Sequence, residues 1–492
     1  MGCRKVQALG PLVAATVVVA SGVAEAAYWK DYTGDHLLGN TLNWYGTTEW
    51  TPDQAAAWWP TTCMTFEEAT EPNGGWSNQP WEAALNGDMS VQNIETGHNG
   101  ITGSFDLNGH SLSTTHSDWG LFIKGERNLL EFGDGDLCVT GKVSIGDSNG
   151  SSDTLRILPG CVLHSRALGI GGGGLSDPSS TNNVLDVAGG KVLFDIADRG
   201  WGYAIGENPG DGGGTMLVRN GGILSNFFNS ALIGHKSSDN SLIVVDGGHY
   251  YNDKFQQLGQ LEWDWNWPCS NNMIKAESGG VAELHSGLYI GDGTSPSSVS
   301  RNVVWAGDGG RVVCGGDIVV RGNENAFVVS NGFLCCNSIH SIDEYDTQGY
   351  YGTRFVFAGS SPEMQAYYSF SLRKQASVEF IVPEGGYLTT PLTVRIGCKV
   401  DEDTSLSVDV RGVLSTLSGG TRANFRLINA DSDGYGVQKI YVPDDDESFT
   451  KLTALVDRWN ALLPAGARVY LSRERCELWL EVCKPGMRVM IR

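Results

Sequence analysis

The sequence predicts an all-β fold, a single-stranded parallel β-helix of roughly 12 coils with a cap at each end. Three observations predict it. A glycine that follows an apolar run recurs about every 27 residues. The runs between these glycines are short and rich in Val, Ile and Leu, and no convincing helical period occurs between residues 90 and 430. Coils of similar length that stack on one another bury one continuous core.

The recurring glycine is the first anchor of the repeat. In most of its occurrences an apolar residue stands two positions later, and we expect that position to face the core. The short strands, such as 183–187, 302–305 and 377–382, are bounded by Gly, Asn and Asp. The anchor glycines are Gly109, Gly135, Gly160, Gly190, Gly222, Gly248, Gly280, Gly310, Gly332, Gly359, Gly386 and Gly412.

A second anchor consists of an apolar residue followed by glycine, about 11 residues after the first anchor in most repeats. The distance from it to the next first anchor varies, so we expect loops to be extruded at one corner, where function tends to collect. The glycines of the second anchor are Gly146, Gly171, Gly206, Gly234, Gly259, Gly291 and Gly397.

The two ends of the chain differ from the repeats, which cover 90–430. Residues 1–26 have the charge, apolar stretch and small residues of a signal peptide, which predicts an exported protein, extracellular, at the cell surface or periplasmic. Residues 27–89 are dense in Trp and predict a cap over the first coil or, alternatively, a sugar-binding surface. Residues 431–492 predict a small α+β cap, with one helix over 449–462 and strands near 467–472 and 476–482.

The charge balance narrows the possible partners. Lys and Arg number 34 against 56 Asp and Glu, and the net charge of −22 disfavours nucleic acid and anionic membranes. After removal of the signal peptide no segment is long and apolar enough to span a membrane.

Ten cysteines follow the signal peptide, and none has the Cys-x-x-Cys spacing of a zinc ribbon or a thioredoxin-like site. Cys314 and Cys336 lie at equal offsets after their anchors, so we expect them to stack in adjacent coils. The stack would be a reduced core pair or, alternatively, a disulfide.

The Val-x-x-Gly-Gly-x-Leu unit, the signal peptide and the late strand over 425–430 resemble those of the bacterial secreted right-handed parallel β-helix proteins. The resemblance covers about residues 90–430. Within that group the repeat resembles autotransporter passengers and pectin-lyase-like solenoids in particular. It implies a scaffold that adhesins, polysaccharide lyases and hydrolases share. One departure is expected, because the roughly 60 residues after 430 are too few for a membrane barrel.

Motifs for catalysis are weak. Gly169–Gly174 matches G-x-G-x-x-G, but a turn at 175–178 follows it instead of a helix. No catalytic residue, cofactor or metal site is predicted, and no polygalacturonase-type carboxylate group occurs. We therefore expect a non-catalytic exported solenoid, a structural or adhesive surface module that binds an extracellular glycan or cell-surface polymer. The alternative is a lyase or hydrolase whose catalytic groups are dispersed over adjacent coils.

The ligand-binding candidate is the segment 262–267. If this segment is extended, Trp263, Trp265 and Trp267 lie on one face, while Glu262 and Asp264 lie on the other. A row of indoles can stack on sugar rings, and the polar neighbours can bond to hydroxyls. Alternatively, the Trp face packs on the outside of the solenoid as a local hydrophobic cluster.

Overall fold

The structure is a computed structural model, and it describes residues 26–29, 44–45, 63–66, 81–96, 99–171, 180–196, 203–206, 211–228, 230–260, 269–292, 300–341, 352–373, 375–430, 439–442, 448–472 and 476–484. Within them the chain winds into a parallel β-solenoid. Each coil has three faces, called A, B and C in chain order, so the predicted parallel β-helix is confirmed.

Face A is a sheet of 13 parallel strands, close to the roughly 12 coils predicted. Inward-pointing residues along each strand alternate with outward-pointing ones, as in Ala326–Ser330. The strands of face A are Trp81–Ala84, Thr102–Asp106, Leu129–Gly133, Thr154–Ile157, Val184–Ala188, Thr215–Arg219, Ser241–Val244, Met273–Ala276, Val303–Gly307, Ala326–Ser330, Arg354–Ala358, Ser377–Ile381 and Ser405–Asp409.

Face B follows the anchor glycine, and face C ends near the second anchor. Gly135–Ser151 and Cys161–Ile170 run through both faces, which joins them into one sheet. Face B otherwise comprises Met89–Val91, Ser111–Thr114, Lys191–Phe194, Ile223–Asn226, His249–Asn252, Val281–Leu284, Arg311–Cys314, Phe333–Cys336, Glu363–Ala366, Leu392–Val394 and Arg422–Asn429. Face C otherwise comprises Cys63–Phe66, Asn93–Thr96, Trp119–Glu126, Tyr203–Ile205, Ala231–His235, Gln256–Gln260, Leu288–Asp292, Ile318–Val320, Ile339–Ser341, Ser369–Leu372, Gly397–Val400 and Ile440–Tyr441.

Parallel pairing begins ahead of residue 90. Cys63–Phe66 pairs with Asn93–Thr96, and Trp81–Ala84 pairs with Thr102–Asp106. Ala26–Trp29 in turn pairs in parallel with Cys63–Phe66 and antiparallel with Trp44–Tyr45. The rest of the predicted signal peptide lies outside the described residues.

The paired glycines of the first anchor have two different causes. In the turn that contains Asp246, Gly247 and Gly248, the first two residues have φ of 50° and 71°, a left-handed conformation that Gly, Asn and Asp tolerate best. Position 248 requires glycine for a different reason, because a side chain would not fit there. A Cβ on it would lie 2.4 Å from the carbonyl oxygen of Val218 in the preceding coil.

Two predicted anchors are not turn glycines. Gly412 lies in a short helix, Arg411–Thr416, which corrects the expectation that 90–430 contains no helix. This helix buries Val413 against the last coil, where no further face A strand has to be stacked. Gly397 begins a strand of face C and has no positive φ.

The C-terminal residues close the stack. The helix Ser448–Leu462 buries Leu452, Leu455 and Trp459, and the Trp459 indole donates to the Thr404 carbonyl at 2.9 Å. Ala467–Leu471 and Glu477–Cys483 form an antiparallel pair, which confirms the helix and the strands predicted there. In the described part of the chain, every helix is too short or too polar to cross a membrane.

The core confirms the predicted coil register at the cysteines. Val313 pairs with Cys335, which places Cys314 and Cys336 in adjacent coils, and both side chains are buried with free thiols. Burial raises the pKa of both thiols, so they stay protonated and act as small apolar side chains.

We predict that Gly248→Ala lowers the free energy of unfolding by about 1–3 kcal/mol, because its Cβ would press on a carbonyl that cannot move without shifting a coil. Gly385→Ala is the matched control. Gly385 lies in another turn before a face B strand, has no positive φ, and has no atom within 4 Å of its Cβ position. Urea unfolding of both variants is the measurement, and equal midpoints would contradict the close-approach explanation.

We also predict that Cys314 and Cys336 are alkylated when the protein is denatured without a reductant, since both thiols are free in the fold. Peptide mass spectrometry after iodoacetamide treatment measures this. A peptide pair linked through these two residues would show that the stack is a disulfide.

Candidate functional site

Exposed large hydrophobic side chains concentrate at the corner between faces B and C. Of the nine such side chains in the described residues, Leu388, Tyr441 and Leu462 lie elsewhere. The other six follow strands of face B in four coils, where they face solvent instead of the core: Phe227, Phe228, Phe255, Tyr367, Tyr368 and Ile396. Concentration of exposed apolar surface in one place indicates an interaction site.

Backbone hydrogen bonds hold this corner in register from coil to coil. The N–H of Asp253 donates to the Asn226 carbonyl at 2.9 Å, and the N–H of His285 donates to the Asn252 carbonyl at 2.8 Å. Residues at the same place in successive coils therefore lie above one another at about the strand spacing of 4.8 Å. Side chains that leave the corner form rows along the solenoid axis.

Aromatic rings of successive coils contact one another in two groups, although they do not occupy equivalent positions, since Tyr251 pairs with Ser225 and Glu283. On the face B side, the Phe227 and Tyr251 centroids are 5.7 Å apart, and those of Tyr251 and His285 are 5.6 Å apart. On the face C side, Phe255 and Tyr289 meet edge to face at 5.5 Å. We call these residues, together with the half-exposed Phe228, the aromatic corner: Phe227, Phe228, Tyr251, Phe255, His285 and Tyr289.

A buried polar network supports the aromatic corner from beneath. The Oε1 atom of Gln256 accepts hydrogen bonds from Tyr203 at 2.9 Å and Tyr250 at 2.5 Å, and from the Asn252 amide at 3.2 Å. The Gln256 amide donates to the Ala231 carbonyl at 3.1 Å. Burial raises the pKa of both tyrosines, so they remain neutral donors. Because Tyr250 and Gln256 are fixed inside, their neighbours Tyr251 and Phe255 are held on the outside.

Polar groups flank the rings. Lys254 pairs with Asp253 at 3.0 Å, and Tyr251 donates to Asp253 at 3.4 Å. The hydrogen bond from Lys254 lowers the pKa of Asp253, which keeps that carboxylate ionised. His249 lies 3.4 Å from Glu283 on the adjacent strand. The aromatic corner therefore offers ring faces next to donors and acceptors.

Glycines bound the aromatic corner on one side. Gly315 and Gly316 occupy the next coil, and a Cβ on either would lie within 2.6 Å of the carbonyl oxygen of His285 or Ser286. Further along the same corner Tyr367 and Tyr368 are exposed, and the Arg395 guanidinium lies 5.3 Å from the Tyr367 ring centroid.

A groove of about 630 Å³ lies near the C-terminal end of face B. Its Arg426 bonds to Thr390 at 2.9 Å and to Glu477 at 2.8 Å. Burial raises the pKa of Glu477, but the hydrogen bonds that Arg426 and Trp479 donate to its carboxylate outweigh burial and lower that pKa. The guanidinium of Arg426 and the carboxylate of Glu477 therefore neutralise one another, and Glu363 is the other charged side chain that lines the groove.

The sequence-predicted binding residues Glu262, Trp263, Asp264, Trp265 and Trp267 lie in 261–268, outside the described residues. In the sequence that segment comes directly after the face C strand Gln256–Gln260. The aromatic corner was missed because it lies in the half of the repeat whose length is nearly constant. The signal that would have found it is the recurrence of aromatic residues just after face B strands. Within the described residues, no group of three or more metal-ligating side chains gathers at one point.

Comparison with known proteins adds one distant similarity. No protein-family model matches the chain, and neither does any curated protein. The alignment with the crystal structure of a TibC-catalysed, hyper-glycosylated fragment of TibA covers 71% of this chain and 94% of that chain, at 14% identity and a TM-score of 0.29. At that score the assignment to the parallel β-solenoids rests on the strand pairing of this chain alone.

Proposed function

We propose that the protein is an exported, non-catalytic β-solenoid that acts as a surface or adhesive module and binds neutral glycans through the aromatic corner. The exposure of Phe227, Phe228 and Phe255 in two adjacent coils, within contact distance of further rings, supports the binding role. The signal-peptide pattern and the resemblance of the repeat to autotransporter passengers support export and display.

A glycan fits this corner better than a charged polymer. Sugar rings have apolar faces that stack on aromatic rings, and their hydroxyls need donors and acceptors nearby. The rings of Phe227, Tyr251 and His285 lie in three successive coils, so an extended polysaccharide is expected to run parallel to the solenoid axis. The net charge of −22 opposes polyanions such as pectin or alginate.

We predict that Phe227→Ala combined with Phe255→Ala weakens binding to immobilised neutral polysaccharides at least about tenfold, since exposed aromatic anchors dominate such interfaces. The melting temperature should change little, because both rings are nearly half exposed. Tyr441→Ala, which removes an equally exposed ring on face C, is the matched control and should bind normally.

Binding that survives in the Phe227/Phe255 variant would overturn the aromatic corner as the site. If binding is lost in a Trp263→Ala, Trp265→Ala variant instead, the segment 262–267 carries it. Release of reducing sugars or unsaturated uronides from the same polysaccharides would contradict the non-catalytic role and favour the lyase or hydrolase.

A further inference from the structure

A ladder of buried polar side chains runs along the corner that leads into face A. Each of its residues directly precedes a face A strand, and its side-chain Oδ1 accepts from the backbone N–H of the preceding coil. Asn240, Asn272 and Asn302 donate in this way to the next rung, each at 3.0 Å. The rungs are Asn128, Asp153, Asn183, Asn240, Asn272, Asn302 and Asn325, with Gly214 between Asn183 and Asn240.

Asp153 is the one carboxylic acid among these seven rungs, and it is fully buried. Its Oδ1 accepts from the Asn128 N–H at 2.9 Å, and its own N–H donates to Asn183 Oδ1 at 2.9 Å. Asp153 therefore takes the same place in the ladder as the asparagines. It differs from them only at its second side-chain atom.

That second atom is a donor in the asparagine rungs. The Nδ2 of Asn128 donates to the Lys124 carbonyl at 2.6 Å, and the Nδ2 of Asn183 donates to the Gly150 carbonyl at 3.1 Å. In Asp153 the atom is Oδ2, which is buried and has no hydrogen-bond partner in the described residues. A Cβ on Gly150 would lie 2.4 Å from this Oδ2 and 2.8 Å from the Gly125 carbonyl oxygen, so the two oxygens flank the same small space.

An ionised carboxylate in this place has an acceptor where the ladder supplies a donor. A protonated carboxyl restores the donor, because its O–H can take the role of the asparagine N–H. We propose that Asp153 holds a proton in the folded ladder and that the solenoid consequently loses stability as the pH rises towards neutrality.

The electrostatic surroundings agree with this assignment. Burial is the main cause that raises the pKa of Asp153 to about 7, the backbone N–H and the side-chain amide of Asn128 oppose it, and Glu126 in the preceding coil adds to it. The rungs on either side are uncharged amides. Other charged side chains near this corner are Lys124, which pairs with Glu95 at 3.0 Å, Asp147 in the strand Gly135–Ser151, and Arg127, whose backbone N–H donates to the Ser151 carbonyl at 2.9 Å.

The direction of the pH dependence of stability follows from the pKa of Asp153 in the unfolded and folded states. An unfolded Asp titrates near 3.9, whereas the folded group titrates near neutrality. The folded state therefore binds one more proton than the unfolded state between about pH 4 and 7. The stabilisation is complete below that window and is lost across it, and above it the contribution stays constant.

Asp153→Asn tests the proposal, because the amide completes the ladder without changing its shape. We expect the variant and the wild type to melt together at pH 4 and the variant to melt about 2–5 °C higher at pH 8. Asp308→Asn is the control. Asp308 is exposed in a glycine turn at a φ that Asn tolerates, so this variant should follow the wild type at both pH values.

A second measurement is independent of the melting temperature. In weak buffer at pH 5.5, urea unfolding of the wild type should release about one more proton than unfolding of Asp153→Asn. Equal proton release, or a difference in melting temperature that is the same at pH 4 and pH 8, would overturn the proposal.

Discussion

The structure depends on the in-register stacking of parallel strands. Each coil bonds through its backbone to the coils before and after it, so a residue at one place in a coil fixes what its neighbours along the axis can be. A side chain that fits once must fit again one strand spacing away. This constraint explains the stacked phenylalanines, such as Phe105 on Phe132 with centroids 4.8 Å apart, and the runs of buried Val, Leu and Ile.

Stacking also explains why polar groups are buried safely inside this fold. An isolated amide in a core costs free energy unless its bonds are satisfied. In a ladder, each rung accepts from one neighbouring coil and donates elsewhere, so one arrangement repeats along the axis. The network around Gln256 is different. Its Oε1 atom accepts the hydrogen bonds of Tyr203, Tyr250 and Asn252, and these bonds are confined to a short stretch of the described solenoid.

The sequence predicts the parts of the fold that repeat. Glycines that must avoid a neighbouring carbonyl, as Gly248 does, recur at a fixed place, and the register they define predicts the adjacency of Cys314 and Cys336. The helix Ser448–Leu462 is likewise visible from its apolar period. Gly412 was wrongly predicted to be an anchor glycine. It lies in the helix Arg411–Thr416, where no further face A strand stacks on the last coil. The aromatic corner was missed because the sequence analysis looked for function in the half of the repeat that varies in length, whereas these rings lie in the half of nearly constant length. The rung at Asp153 could not be recognised from the sequence, since its burial depends on coils that are 25 and 30 residues away.

The C-terminal antiparallel strands cover the last coil of the solenoid on face B. Glu477–Cys483 runs against Arg422–Asn429 and takes up hydrogen-bonding groups that a further parallel coil would need on face B. A second copy that approached this face would meet Ala467–Leu471 as the outer strand, and the backbone N–H and carbonyl of its Val469 already bond to the Asn460 side chain. The antiparallel pair and the Asn460 side chain therefore oppose the addition of strands from a second molecule to this face.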